Sequence, residues 1–238
     1  MTYVQGFIIP VKEGDKQAYL DLATKAAPVF AEYGATATVE CWGEDVPDGK
    51  RTDMKRAVQA EPGENIVFSW VWWPDKATCD SAAEKLMADD RMQPDGEMPF
   101  NPQRMIYGGY EAVYDGGNGG SFGYVDGVVA PTKVDKQAFA DHAARISAYF
   151  LKSGATRIVD GWGTDVPDGK VTDFKRAVAA EDGETVVFGW VEWPDKSTRD
   201  AAFAGMMQDP DVQAAPPAFD MQRAIFGGFV PILDTDHQ

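Results

Sequence analysis

Alternating apolar and polar positions open the chain at residues 3–10 (YVQGFIIP), a run rich in β-branched and aromatic residues that predicts a strand ending near Pro10. Helical spacing takes over at Tyr19, Leu22, Ala23, Ala26, Phe30 and Tyr33, with Asp15 as N-cap and Gly34 as stop. Pro28 falls inside this helix and is expected to kink it. Strands are expected at residues 36–42 and, after a long connection, at 65–73, the most hydrophobic run of the set. Pro74 and Asp75 then open a helix that reaches about residue 88, with Ala82, Ala83, Leu86 and Met87 as its apolar stripe. Residues 104–113 (RMIYGGYEAV) read as a closing strand.

The same pattern then runs a second time. VPDGK at 46–50 returns at 166–170, TDMKRAV at 52–58 returns as TDFKRAV at 172–178, and VFSWVWWPDK at 67–76 returns as VFGWVEWPDK at 187–196. This repeat is as long as a domain and far longer than a solenoid unit. Second-copy strands are expected at 124–131, 156–162, 185–193 and 223–232, with helices at 136–153 and 197–207. Residues 1–114 and 122–238 are therefore two repeats, joined by a Gly-rich linker at 115–121 that keeps them neighbours. Each repeat has the β-α-β-β-α-β order of a ferredoxin-like unit, whose sheet carries helices on one face only. The bare faces need a cover. The expected fold is α+β, two ferredoxin-like repeats packed sheet to sheet as a single-chain pseudo-dimeric α/β barrel.

Composition narrows the partners. Hydrophobic content is 44% and aromatic content 12%, which suits a packed core. A formal net charge of −16 repels phosphodiester backbones and anionic membrane, so neither is an expected partner. The N-terminal run has no basic region and no apolar signal core, and no stretch is apolar enough to span a bilayer. Cys41 and Cys79 face Gly161 and Arg199 in the other copy. A framework disulfide would not vanish from one repeat, so both read as free thiols in a reducing, cytoplasmic compartment. Cys41 reads as a core residue and Cys79 as lying on an exposed helix face.

Candidate chemistry comes from strand alternation. Thr36, Thr38, Glu40 and Trp42 share one face, and the smaller Ala37, Val39 and Cys41 share the other. Placing the small set under the helices sends Glu40 and Trp42, with Asp160 and Trp162 in the second copy, toward an inter-sheet cavity. The same sorting sends Gln5, Asp126, Trp70 and Trp190 there, opposes Trp72 to Glu192, and starts the last strands with Arg104 and Arg223 on that side. A carboxylate in an apolar cavity can act as a base, and an arginine can hold an anionic oxygen. The candidate catalytic residues are Glu40 and Asp160; the candidate ligand-binding residues are Trp42, Trp70, Arg104, Trp162, Trp190 and Arg223. The plain structural alternative makes Glu40–Arg104 and Asp160–Arg223 buried ion pairs. The connection at 43–64 reads as an arm that wraps the other half and salt-bridges its acidic surface through Lys55 and Arg56, or else as a lid. Gly43 to Lys50 has the wrong glycine spacing for a phosphate loop. His142 reads as a core histidine, His237 lies in a tail, and no metal cluster is spaced for binding.

ECWGEDVPDGK at 40–50, TDMKRAV, VFSWVWWPDK and MPFNPQRMIYGG at 98–109 together resemble the DUF1428 (YbaA-like) family, once per repeat. That resemblance implies the dimeric α/β barrel superfamily, with single repeats that pair; here the two repeats are fused. The superfamily includes cofactor-free monooxygenases, haem enzymes and small-molecule-binding proteins, and it would allow a haem ligand at His142. Three readings stand. The first is a small-molecule-binding protein with a pocket between or beside the sheets. The second is a cofactor-free monooxygenase or isomerase using a cavity carboxylate. The third is a non-catalytic interaction module, which requires an exposed apolar patch near the long loops. The first two require an enclosed pocket, and a solid barrel interior would defeat both. No cofactor or metal is expected; a further homo-oligomer stays open.

Overall fold

The alternation at the N-terminus becomes β1 (Tyr3–Lys12), and the helical stripe becomes α1 (Lys16–Glu32), which Gly34 ends at a φ of 105°. The first half continues with β2 (Ala37–Asp45), α2 (Met54–Ala57), β3 (Glu64–Trp73), α3 (Lys76–Ala88) and β4 (Ile106–Gly117). The second half repeats it as β5 (Tyr124–Thr132), α4 (Lys136–Lys152), β6 (Arg157–Asp165), α5 (Phe174–Ala177), β7 (Thr185–Trp193), α6 (Lys196–Met206), α7 (Pro210–Ala214) and β8 (Ile225–Asp234). This computed structural model describes residues 2–93 and 96–237.

All eight strands close into one antiparallel barrel in the order β1-β3-β2-β8-β5-β7-β6-β4. The two sheets face each other as expected, and they also hydrogen-bond along both edges. One seam joins β2 to β8 and the other joins β4 to β6, each with two register shifts. Among the described strands, closure leaves no free edge. The β4–β6 seam runs through Gly116 and Gly117, so the first linker residues belong to the sheet.

An eight-stranded barrel is just wide enough for side chains to fill it. Register decides which ones. Ala37, Val39 and Cys41 of β2 lie opposite Trp72, Trp70 and Phe68 of β3, so the small residues and the large aromatics share the inner face. The Phe68 and Phe188 rings stack at 4.7 Å and the Trp70 and Trp190 rings at 4.4 Å, each pair joining the two halves. Gly6 and Gly127 make room for them: a Cβ at either would lie 2.7 Å from the Phe188 or Phe68 ring of the opposite half. The inter-sheet space is therefore packed solid, which goes against the binding and enzyme readings as framed on the barrel interior and leaves them only a pocket beside the sheets. Trp70 and Trp190 do point inward, but as core.

This corrects the placement of the outer residues. Small side chains pack inside, against the aromatics that need the room. Glu40, Trp42, Asp160, Trp162, Gln5 and Asp126 consequently face the helix layer. Tyr19 of α1 bonds Glu40, and Asp126 is held by Trp193 and by Arg199 of α6. Cys79 lies on the buried face of α3 rather than an exposed one, and Cys41 lies in the core; both are free thiols.

The long connections do reach across. Thr52 Oγ1 donates to the Ala177 carbonyl and Thr172 Oγ1 to the Ala57 carbonyl, both at 2.5 Å. Met54 and Phe174 enter the shared core beside them. The basic residues do not bridge to the other half, however. Lys55 pairs with Asp48 and Arg56 with Asp53, all within one arm.

Candidate functional site

Beneath α1 the helix and the outer face of the sheet do not touch everywhere. A cavity of about 230 Å³ remains, walled by Phe7, Tyr19, Leu22, Ala26, Phe30 and Phe100, with Met92, Met98 and Met105 among its other neighbours. Glu40 lies at its floor. The β2–β3 register sets Ser69 directly opposite Glu40, and helical spacing brings Tyr19 down over both.

Glu40 is 8% exposed. Tyr19 Oη donates to Glu40 Oε2 at 2.7 Å, and the Ser69 hydroxyl gives a second hydrogen bond. Burial in the apolar wall outweighs both bonds and pushes the Glu40 carboxyl up to about 7. Burial and the adjacent carboxylate push the Tyr19 phenol well above its ordinary range. Among the described residues lining the cavity none is basic.

Arg104 and Arg223 do not join this site. Arg104 makes a two-pronged pair with Glu64 at 2.6 and 2.7 Å, and Arg223 does the same with Glu184 at 2.7 Å for both contacts. Each also donates Nη1 to a backbone carbonyl, that of Gln59 at 2.9 Å or Ala179 at 2.8 Å. Those two residues have positive φ, 49° and 46°. The arginines thus clamp the ends of α2 and α5, and the ion pairs expected with Glu40 and Asp160 are replaced by pairs with Glu64 and Glu184. Arginine bonding holds Glu64 below its ordinary range and Glu184 down at about 2.

Trp42 packs with Tyr19, Ile9 and Val67, with Lys16 Nζ over its ring at 5.0 Å. Trp162 sits 5.8 Å from the Phe139 ring. Asp160 occupies the second-half position of Glu40, and burial alone pushes it up to about 7. Glu192 lies inside the barrel, accepts from Trp190 Nε1 at 2.9 Å, and is also raised to about 7 by burial. Tyr19, Ser69 and the methionines escaped the sequence reading. Tyr19 sits on an apolar helical stripe that signals only core, although its replacement by Phe139 in the second copy marks its hydroxyl as the variable part. Among the described residues no group of three or more His, Cys, Asp or Glu side chains is placed to hold a metal, and no helix is long and apolar enough to cross a membrane.

The fold has known counterparts. A candidate monooxygenase from Lactobacillus acidophilus NCFM superposes with a TM-score of 0.56 at 11% identity, over 99% of this chain and 97% of that one. An anthrone oxidase-like protein gives 0.57 at 11% identity, over 98% and 92%. At these identities the likeness is one of fold. Sequence similarity is closer to YbaA of Escherichia coli K12, 53% identical over 116 residues that make up 48% of this chain and 99% of YbaA. The model of the protein family of unknown function DUF1428 matches residues 2–102 and again 123–221. Matched in both of its halves, the chain belongs to the DUF1428 family.

Proposed function

We propose that this protein binds a small, largely apolar molecule in the cavity beneath α1, with Glu40 as its polar anchor. The observation that carries this reading is a buried carboxyl, bonded to Tyr19 at 2.7 Å, on the floor of an otherwise apolar space of about 230 Å³. Ligand pockets are built this way, with apolar walls and one or two polar groups that orient the guest. The space suits a one- or two-ring molecule. Calorimetric titration with 1-naphthol tests it. Ala26→Phe, which fills the cavity, is expected to abolish binding, and Glu40→Gln to weaken it about tenfold, the worth of one buried charged hydrogen bond. Binding that survives Ala26→Phe unchanged sinks the reading.

A catalytic role has its own support in Glu40, whose carboxyl at about 7 is poised to take a proton near neutral pH. The base would remove a proton from a carbon beside a carbonyl. Tyr19, released from Glu40, would donate to the resulting enolate oxygen. Return of the proton at another carbon makes an isomerase; bonding of the enolate carbon to dioxygen gives, with one proton, a hydroperoxide that loses water and keeps one oxygen as a carbonyl, which makes a monooxygenase. Proteins named as monooxygenases share this fold, which fits the reading without assigning a reaction. Proton–deuterium exchange into a bound ketone such as 2-tetralone, lost in Glu40→Gln, is the expected signature.

A docking role rests on exposed Met221, Phe226 and Tyr107, which sit beside the arms at 47–53 and 167–173. The two free thiols support a reducing, cytoplasmic location, and cell fractionation tests that.

A further inference from the structure

The two halves differ at the turn that precedes each clamping arginine. Arg223 gives Nη1 and Nη2 to Glu184 and Nε to Asp220 Oδ2 at 2.7 Å, while Asp220 Oδ1 accepts from the Gln222 backbone N–H at 2.8 Å. One carboxylate thus serves two donors. In the first half Arg104 holds Glu64 in the same way, but Asn101 stands where Asp220 does. Asn101 Oδ1 accepts from the Gln103 backbone N–H at 3.0 Å, and Arg104 Nε is buried with no partner. An amide has one acceptor oxygen, so whichever way it is turned one of the two N–H groups goes without. Buried donors without partners call for a ligand or a water.

The space beside each arginine differs in the same sense. In the second half Lys133 bonds Glu181 at 2.7 Å, and the cavity bordered by Lys133, Asp220 and Arg223 measures about 300 Å³. Lys12 and Glu61 are the first-half counterparts of that pair, and among the described residues they make no ion pair with each other. The cavity there measures about 690 Å³, with Arg104, 8% exposed, in its wall. Asp15, Glu61 and Glu97 line it as well, and the Asp15 side chain makes no capping bond to α1. The first half therefore lacks a carboxylate at Arg104 Nε and holds three others around the same space.

We propose that the space beside Arg104 is a binding site for an α-amino acid with an apolar side chain. Its carboxylate takes the place that Asp220 fills in the second half, accepting from Arg104 Nε and the Gln103 N–H. Asn101 is exposed, and its amide turns out to solvent to admit the guest. The ammonium lies among Asp15, Glu61 and Glu97, and Phe100 and Met98 supply apolar wall. Charge selects a guest that carries both signs. With Glu64 included, the carboxylates outnumber Lys12 and Arg104, so a carboxylate alone is repelled, and a cation alone leaves Nε unpaired. Among the described residues this space shares Phe100 and Met98 with the Glu40 cavity but no polar side chain, so the site stands whether or not that cavity binds anything.

Calorimetric titration at pH 7 with leucine, 4-methylpentanoate and 3-methylbutylammonium tests the proposal. The three probes share a side chain and differ in their charged groups. Leucine is expected to bind once per chain and each of the others at least tenfold more weakly, the worth of one charged hydrogen bond. Asn101→Asp restores the second half's arrangement, puts a carboxylate on Arg104 Nε from within the chain, and is expected to cost at least tenfold in leucine affinity. It is expected to melt no lower than the parent protein, which separates lost binding from lost folding. Asp15→Asn combined with Glu97→Gln removes two of the three ammonium partners and is expected to bring leucine down to the affinity of 4-methylpentanoate. The proposal falls if 4-methylpentanoate binds as tightly as leucine, or if either variant binds leucine undiminished. It falls also if leucine does not bind at millimolar concentration, in which case water alone serves Arg104 Nε.

Discussion

Glu40 makes the residue-scale argument, because its environment sets both its chemistry and its cost. Its ordinary pKa of 4.5 rises to about 7 in the fold. Below the ordinary value the folded and unfolded chains are both protonated and the residue is neutral to stability. Between the two values the unfolded chain has lost the proton and the folded chain keeps it, so stability falls as pH rises through that window. Above about 7 the full penalty is present. Glu40→Gln is therefore expected to stabilise the protein by roughly 2 kcal/mol at pH 8 and by almost nothing at pH 4, read by urea denaturation at both pH values. Equal effects at the two would refute the burial account. Ala179 carries a different strain, with its φ of 46° in the left-handed region that penalises a Cβ. Ala179→Gly should gain about 0.5–1 kcal/mol, the relief of that clash less the added freedom of the unfolded chain. Glu40 is legible in the sequence as a carboxylate within an apolar strand. The face it takes is not, because alternation divides β2 into two sets without saying which lies inside. The pairing of Val39 with Trp70 and Cys41 with Phe68 decides that, and it is a tertiary fact.

Elements carry the joint between the halves. The repeated VPDGK…TD segment has a structural explanation in each copy. Gly49 and Gly169 have no room for a Cβ, which would meet the Thr52 or Thr172 carbonyl oxygen at 1.9 Å. Asp53 and Asp173 cap α2 and α5 and also accept from those glycine N–H groups. Thr52 and Thr172 then bond across to the opposite half. Thr172→Val keeps the shape and deletes one bond, leaving the Ala57 carbonyl short of a partner, and is expected to destabilise by about 1–2 kcal/mol in denaturant melts. The inward glycines are a second element-scale contact. Gly127→Ala drives a methyl into Phe68 and should cost about 1–3 kcal/mol, as overpacking does; a neutral result would mean that the aromatic stack yields. Strand and helix positions follow from periodicity along most of the chain. The short α7 was missed, although Asp209 caps it and Pro210 begins it, because it is too short to show a periodic stripe.

For the whole molecule, burial raises four carboxyls, Glu192 inside the barrel and Glu40, Asp126 and Asp160 beneath its helices. Glu40, Asp160 and Glu192 are all raised to about 7, while Glu184 is held at about 2 by Arg223. The raised set destabilises the fold as pH climbs from about 5 to 8. The Glu184 contribution is present above its ordinary 4.5 and is lost as pH falls toward 2. Stability measured by urea denaturation from pH 3 to 8 is expected to peak near pH 5 and to decline on both sides; a maximum at pH 8 would contradict it. Sequence alone determined the duplication, the order of elements in each half and the need of two one-sided sheets to cover each other, because repetition and hydrophobic period are local properties of the chain. Tertiary structure decided that the sheets fuse edge to edge, that their interior fills with stacked aromatics, and that Glu40 and Asp160 look outward under helices. Those outcomes depend on strand register and on how side-chain volumes fit across a closed barrel, and neither is written in any one segment.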